Sequence, residues 1–294
     1  LLRVKRAAFL LLLVPAPALA HGGGHEAWRP EASIALPLLL FALLYAIGFG
    51  RLWRRSDLGR AALKRGALLF AAGWAILAGA TASPLHAAGE RSFTFHMIEH
   101  ELIMLPAALL LVLARPGPVL LWALPAPARG ALAGVARGGR GLWTMVSAPL
   151  AATGLQALAL WAWHMPPLFD RALAGEGWHI AQHLSFLLTA LLFWWAMAHG
   201  QAGRSGYGLA ALCLFVTSLV GGALGVLMAV STSPWYAGYA AMGMNPWGLS
   251  PAEDQQLAGL VMWVPGGAFH AAAALFFLHA WLKASEVGHA VPAE

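Results

Sequence analysis

Apolar positions fall in long unbroken runs, with polar positions gathered at their ends. Seven runs approach the roughly 20 residues that a helix needs to cross a hydrocarbon core: 32–49, 66–82, 93–113, 143–163, 178–198, 208–230 and 257–282. The pattern predicts an all-α, polytopic membrane domain over 32–282, closed by a short tail, 283–294. Ahead of it, Arg3, Lys5 and Arg6 precede a shorter apolar run, 7–14, and Ala18-Leu19-Ala20 supplies small residues for a cleavage site. This is the pattern of a signal peptide, 1–20, removed after Ala20. His21 then opens a His/Gly-rich extracytoplasmic leader, 21–31, that reads H-G-G-G-H-E from His21 to Glu26.

The connectors separate by charge. Arg51, Arg54, Arg55, Arg60, Lys64 and Arg65 follow the first run; Arg115, Arg129, Arg137 and Arg140 follow the third; Arg204 follows the fifth and Lys283 the last. The other side holds only Arg29, Arg91 and Arg171. Basic loops stay in the cytoplasm, so the mature N-terminus is expected outside it, in a bacterial cytoplasmic membrane. The connector 115–141, rich in Pro, Gly and Ala, reads as irregular or partly interfacial. The aromatic connector 231–256 has no basic residue and reads as an outer lid.

Composition changes the picture only by exclusion. With 60% hydrophobic and 10% charged residues, and a mean hydropathy of +0.69, the chain is no soluble globule. The net charge of +6 sits in particular loops and forms no stripe, so lipid is the expected surface partner and nucleic acid is not. The single cysteine, Cys213, lies inside an apolar run. A metal site must therefore draw on His, Met, carboxylate or backbone.

The polar residues inside the apolar runs are costly and carry the candidate chemistry. In F-H-M-I-E-H-E-L-I-M, 95–104, residues His96, His100 and Met104 lie four apart and share one helical face. His179 and His183 repeat the spacing at the start of the fifth run, and His164 closes the fourth. Three helices thus present imidazole near one level. A lone interfacial histidine is ordinarily hydrated or capping, so His86 and His25 are first read that way. Met97, Met104, Met165 and Met262 are first read as packing residues, and beside imidazoles they become soft ligands. Imidazole with thioether and no thiolate fits copper, while zinc and haem remain open. H-M-I-E-H is also an H-x-x-E-H string, in which Glu99 would be the base of a membrane-embedded zinc hydrolase once His164, His179 or His183 supplied a third ligand. His21 and His25 form a candidate capture arm on their flexible leader.

Four strings taken together resemble a known family: F-H-M-I-E-H-E-L-I-M-L-P-A, L-W-A-W-H-M-P-P-L-F-D-R-A-L, W-H-I-A-Q-H-L-S-F-L-L-T-A-L-L-F-W-W and D-Q-Q-L-A-G-L-V-M-W-V-P-G. They are similar to the integral-membrane CtaG family, cytochrome c oxidase assembly factors linked to caa-type oxidases, and the similarity runs from about the second span to the seventh. The resemblance implies a seven-helix membrane fold and a role in oxidase maturation through copper, with a terminal oxidase subunit as partner. By motif it falls on His96, His100, His164, Asp170, His179, His183, Asp254, Gln255, Gln256 and Met262. The expected function is a cytochrome c oxidase assembly factor that binds and delivers copper at the outer face. Its ligands are His96, His100, His164, His179 and His183, with Met97, Met104, Met262, Glu99, Asp254, His21 and His25 as secondary candidates and no catalytic residue. The alternatives are the zinc hydrolase and a haem-binding redox subunit.

Overall fold

The computed structural model describes residues 31–55, 57–199 and 203–289. The expected signal peptide, and His21 and His25 of the leader, lie outside these. Helix α1 (Ala32–Arg55) turns at Gly59, whose φ of 78° favours a glycine, into α2 (Arg60–Thr81). After a break at 82–83, the Ser83 side chain caps the short α3 (Pro84–Gly89) by accepting from Leu85 N at 3.1 Å. Helix α4 (Phe93–Leu102) passes through a π-helical turn, Ile103–Ala107, into α5 (Ala108–Ala114). Pro106 inside that turn has no N–H to give, and the widened turn absorbs the break in the i→i−4 ladder.

The connector expected to be irregular or partly interfacial is helical: α6 (Pro116–Ala123), α7 (Ala126–Gly138) and α8 (Arg140–Val146). Proline in the first turn of α6 and α7 needs no donor there, and the alanines that follow favour helix. Next come α9 (Pro149–Trp163), α10 (Pro166–Ala174), α11 (Glu176–His199), α12 (Gly203–Val230), α13 (Ala237–Met242) and α14 (Pro251–Val261). A second π-turn, Met262–Gly266, holds Pro265 and leads into α15 (Gly267–His289), which runs past residue 282, the expected end of the membrane domain.

Among the described residues, six helical segments are long and apolar enough to cross a membrane, and the pair α8 and α9 makes a seventh if read as one bent span. The expected straight span over 143–163 is therefore bent by 70° at Pro149. The 15 residues of α9 alone reach about 22 Å, short of a hydrocarbon core of about 30 Å. Leucines such as Leu36, Leu39, Leu188 and Leu212 are exposed on the bundle, the face that lipid would cover.

Two apolar clusters fill the bundle. One joins α1, α2 and α5 through Tyr45, Phe70, Leu77 and Leu111; the larger joins α4, α9, α11, α12 and α14 through residues such as Phe93, Phe186, Trp194, Leu214 and Met228. Helices α12 and α14 cross backbone to backbone. A Cβ on Gly259 would overlap the Gly225 carbonyl and the Ala229 amide nitrogen.

One buried carboxylate ties that crossing to α4. Asp254, on α14, accepts from Ser92 Oγ (2.8 Å), Phe93 N (2.7 Å), Thr94 N (3.1 Å) and Thr94 Oγ1 (2.6 Å). It caps α4 from another helix, its negative charge facing the positive end of the α4 dipole. Expected as a secondary metal candidate, Asp254 has both oxygens committed to this cap. Asp254→Ala leaves these donors buried and unpaired, and is expected to cost about 3 kcal/mol. The check is the thermal unfolding midpoint in detergent, with Asp254→Asn falling between the two.

Candidate metal centre

The capped end of α4 is where the histidines meet. His96 and His100 stand one turn apart on α4, their ring centroids 4.3 Å apart, and His179 with His183 repeats this on α11, also at 4.3 Å. The two pairs interleave: His100 to His183 is 5.0 Å, His96 to His179 5.6 Å and His96 to His183 5.9 Å. His164, just past the end of α9, lies 6.5 Å from His100. The structure thus brings together all five histidines expected from the sequence.

It also brings in a sixth. His86 on α3 was read as a hydrated or capping residue, yet it is 7% exposed and lies 5.2 Å from His179 and 5.9 Å from His183. Glu99, a secondary candidate from the sequence, makes the link: its Oε1 lies 2.8 Å from His86 Nδ1 and 3.5 Å from His183 Nδ1, a contact the sequence did not show. Glu99 is fully buried, and the one carboxylate spans two segments distant in sequence.

The donor atoms have few protein partners. His96 Nε2, both nitrogens of His100, His179 Nε2, His183 Nε2 and Glu99 Oε2 are buried without a hydrogen bond. Unpaired buried polar atoms are expensive, and a cation drawing on their lone pairs offsets that cost. Ligand atoms of His96, His100 and His183 lie within 4.8 Å of one another, as do those of His86, Glu99 and His183. His164 carries a further signal. Its Nδ1 lies 2.7 Å from the Leu160 carbonyl, which can only accept, so Nδ1 bears the proton. In the neutral ring Nε2 then points a lone pair at Met97 Sδ, 3.5 Å away, which cannot donate either.

The remaining candidates are placed apart. Met104 lies one turn below His100 and accepts from Gln156 Nε2 at 3.6 Å, and Met262 belongs to the second π-turn. The aromatic connector forms the roof. Asp170 accepts from Ala237 N and Gly238 N, Gln255 from Trp235 N at 2.6 Å, and Gln256 donates to the Ser231 carbonyl. Tyr236 donates to the His164 carbonyl at 3.1 Å and stacks on Phe169 at 4.0 Å, while Tyr239 donates to the Gly89 carbonyl at 2.6 Å. The D-Q-Q string and Asp170 thus hold the helix and the lid around the histidines.

Helices able to cross a bilayer, closing around buried imidazoles, define the class: a multi-pass membrane protein with a histidine-lined compartment under a tyrosine lid. The chain belongs to the cytochrome c oxidase caa3 assembly factor family (Caa3_CtaG), whose model matches residues 43–284. It is 28% identical over 247 residues to uncharacterised proteins of Mycobacterium bovis and Mycobacterium tuberculosis, a match that covers 80% of this chain. The chain spans only 36% of the length of these curated relatives. No solved structure matches it.

Glu99 orients two imidazoles from the side, the part that outer partners play at metal sites. Glu99→Gln is expected to weaken metal binding about ten- to a hundredfold without changing its stoichiometry, measured by competition with a chelator of known affinity.

Proposed function

We propose that the protein binds copper in the histidine compartment, at the outer face of a bacterial cytoplasmic membrane, and hands it to a terminal oxidase during assembly of its metal centres. The observation that carries the reading is the set of buried imidazole nitrogens left without partners on α4 and α11. Imidazole suits Cu(II), and the thioether of Met97 facing His164 Nε2 adds a soft donor suited to Cu(I). Cys213, buried in α12, is a poor fit as a thiolate competitor. Transfer would proceed by ligand exchange among these donors, with the ion never fully released.

Topology supports the assignment of side. His96 and Arg115 mark opposite ends of the α4–α5 span, about 28 Å apart along the axis. The positive-inside rule puts Arg51, Arg54, Arg55 and Arg115 in the cytoplasm and the histidines outside. Membership of the assembly-factor family supports an oxidase as the recipient. The hydrolase reading is weaker, because a tyrosine lid covers the site. Centroids 4.3 to 6.5 Å apart suit an ion between rings and leave no width for a porphyrin.

The test is metal analysis of protein purified in detergent. The intact chain is expected to retain copper, the single variants His100→Ala and His183→Ala to bind it more weakly, and the double variant to lose it from this compartment while still inserting. Loading should fall as pH is lowered, because a protonated ring cannot ligate. Zinc in place of copper, with a hydrolytic activity abolished by Glu99→Gln, would reverse the reading.

A further inference from the structure

Past His100 along α4, a separate cavity of about 40 Å³ lies among α4, the two π-turns, α9, α12 and α15. That is room for an ion with one or two waters. Seven donor-bearing side chains line it: Glu101, Met104, Gln156, Met262 and His270, with Thr217 and Ser218, whose hydroxyls donate to backbone carbonyls. The function proposed above uses none of Glu101, Gln156 and His270.

Glu101 and Gln156 are left incomplete. Glu101 Oε2 is buried with no hydrogen bond. Gln156, 8% exposed, spends its amide N–H on Met104 Sδ, and its Oε1 is buried and unpartnered. His270 Nδ1 lies 2.9 Å from the Gly266 carbonyl, so the proton is there and Nε2 keeps its lone pair. The ring is held by stacking on Trp194, at 5.9 Å between centroids and 8° between planes. Lone pairs converge on this space, and no cation of the protein is among its lining residues.

The backbone is shaped to the same end. Met104 and Met262 both sit in π-turns, next to Pro106 and Pro265 in L-I-M-L-P and L-V-M-W-V-P, and π-turns inside helices gather at functional sites. Trp194 Nε1 donates to the Met104 carbonyl at 2.9 Å, which fixes the first turn. The Glu101 carboxylate lies so close to Gly266 that a Cβ there would stand 2.6 Å from Oε2. Only glycine lets the carboxylate lie there.

We infer that this cavity is a second cation site, inside the bundle and beyond the histidine compartment, that takes a soft monovalent ion, Cu(I). Two thioethers select against hard cations such as magnesium or calcium, imidazole and amide oxygen complete a mixed set, and one carboxylate balances one positive charge. Met104 follows His100 by four residues, a rise of about 6 Å, so the two sites share a helix face and an ion has a short passage between them. Only the choice of copper among soft ions rests on the function proposed above. Binding involves no change of oxidation state.

The experiment uses the full chain in detergent under reducing conditions, with Cu(I) and Ag(I) as probes in competition with a chelator. The His100→Ala/His183→Ala protein is expected to keep about one equivalent of either ion, with sulfur in its X-ray absorption shell. Adding Met104→Leu and Met262→Leu, which conserve volume, should remove that equivalent and the sulfur signal together. Glu101→Gln should weaken it about tenfold or more, and decides the matter if the leucine variant does not fold. A histidine double variant that binds neither ion, or sulfur scattering that survives both leucines, overturns the inner site. Copper held by the intact chain but not by the histidine double variant would leave the compartment standing and remove the inner site; loading of the inner site alone would do the reverse.

Discussion

A carboxylate buried between two helices sets the frame. Asp254 would be costly inside an apolar bundle on its own; here it meets the open N–H groups at the start of α4, which would be equally costly unpaired. Each cancels the other's debt to water. The consequence is geometric, because the first turn of α4 carries His96, and its register against α14 is set where α14 crosses α12 over Gly259 and Gly225. A rotation of α4 by one residue would swing both histidines by about 100°.

The same economy explains the lid. Asp170, Gln255 and Gln256 bind backbone groups of the connector over 231–238, and Tyr236 and Tyr239 bind carbonyls beside His164 and at Gly89. The connector's polar backbone is thereby satisfied by α10 and α14, which pack against the helices that carry the histidines. Phe93, Phe169 and Tyr236 fill the space between roof and compartment with ring contacts of 4.0 to 5.3 Å, keeping the imidazoles away from water. Imidazoles held apart from water and from protein donors keep their lone pairs free for an ion.

Along α4 the sequence E-H-E divides two environments. Glu99 and Glu101 are two residues and about 200° apart around the helix, so one carboxylate faces the six imidazoles and the other the cavity with Met104 and Met262. Proline at 106 and at 265 interrupts each helix, and side chains reach the carbonyls of the π-turns: Trp194 Nε1 donates to Met104, and His270 Nδ1 lies 2.9 Å from the Gly266 oxygen. Interruption of a helix is tolerated inside a bundle only where neighbours supply such partners.

The sequence alone determined the class of fold. Unbroken apolar runs have no other stable form in a bilayer than helices, and the i, i+4 spacing of His96 with His100 and His179 with His183 follows from helical period wherever those helices go. It also determined that His164 belongs near them, because three runs begin or end at one level. Tertiary structure decided the rest. That His86 joins the cluster depends on Glu99 reaching across from α4, a contact with no local signature. Asp254 reads as a ligand in a string of motif residues and acts as a cap because α14 delivers it to a helix end 160 residues away in sequence. The helices between 115 and 141, and the bend at Pro149, turn on where the chain leaves the apolar layer. Apolar periodicity reports burial, whereas pairing between distant polar groups is settled only when the helices pack and each buried atom finds its partner.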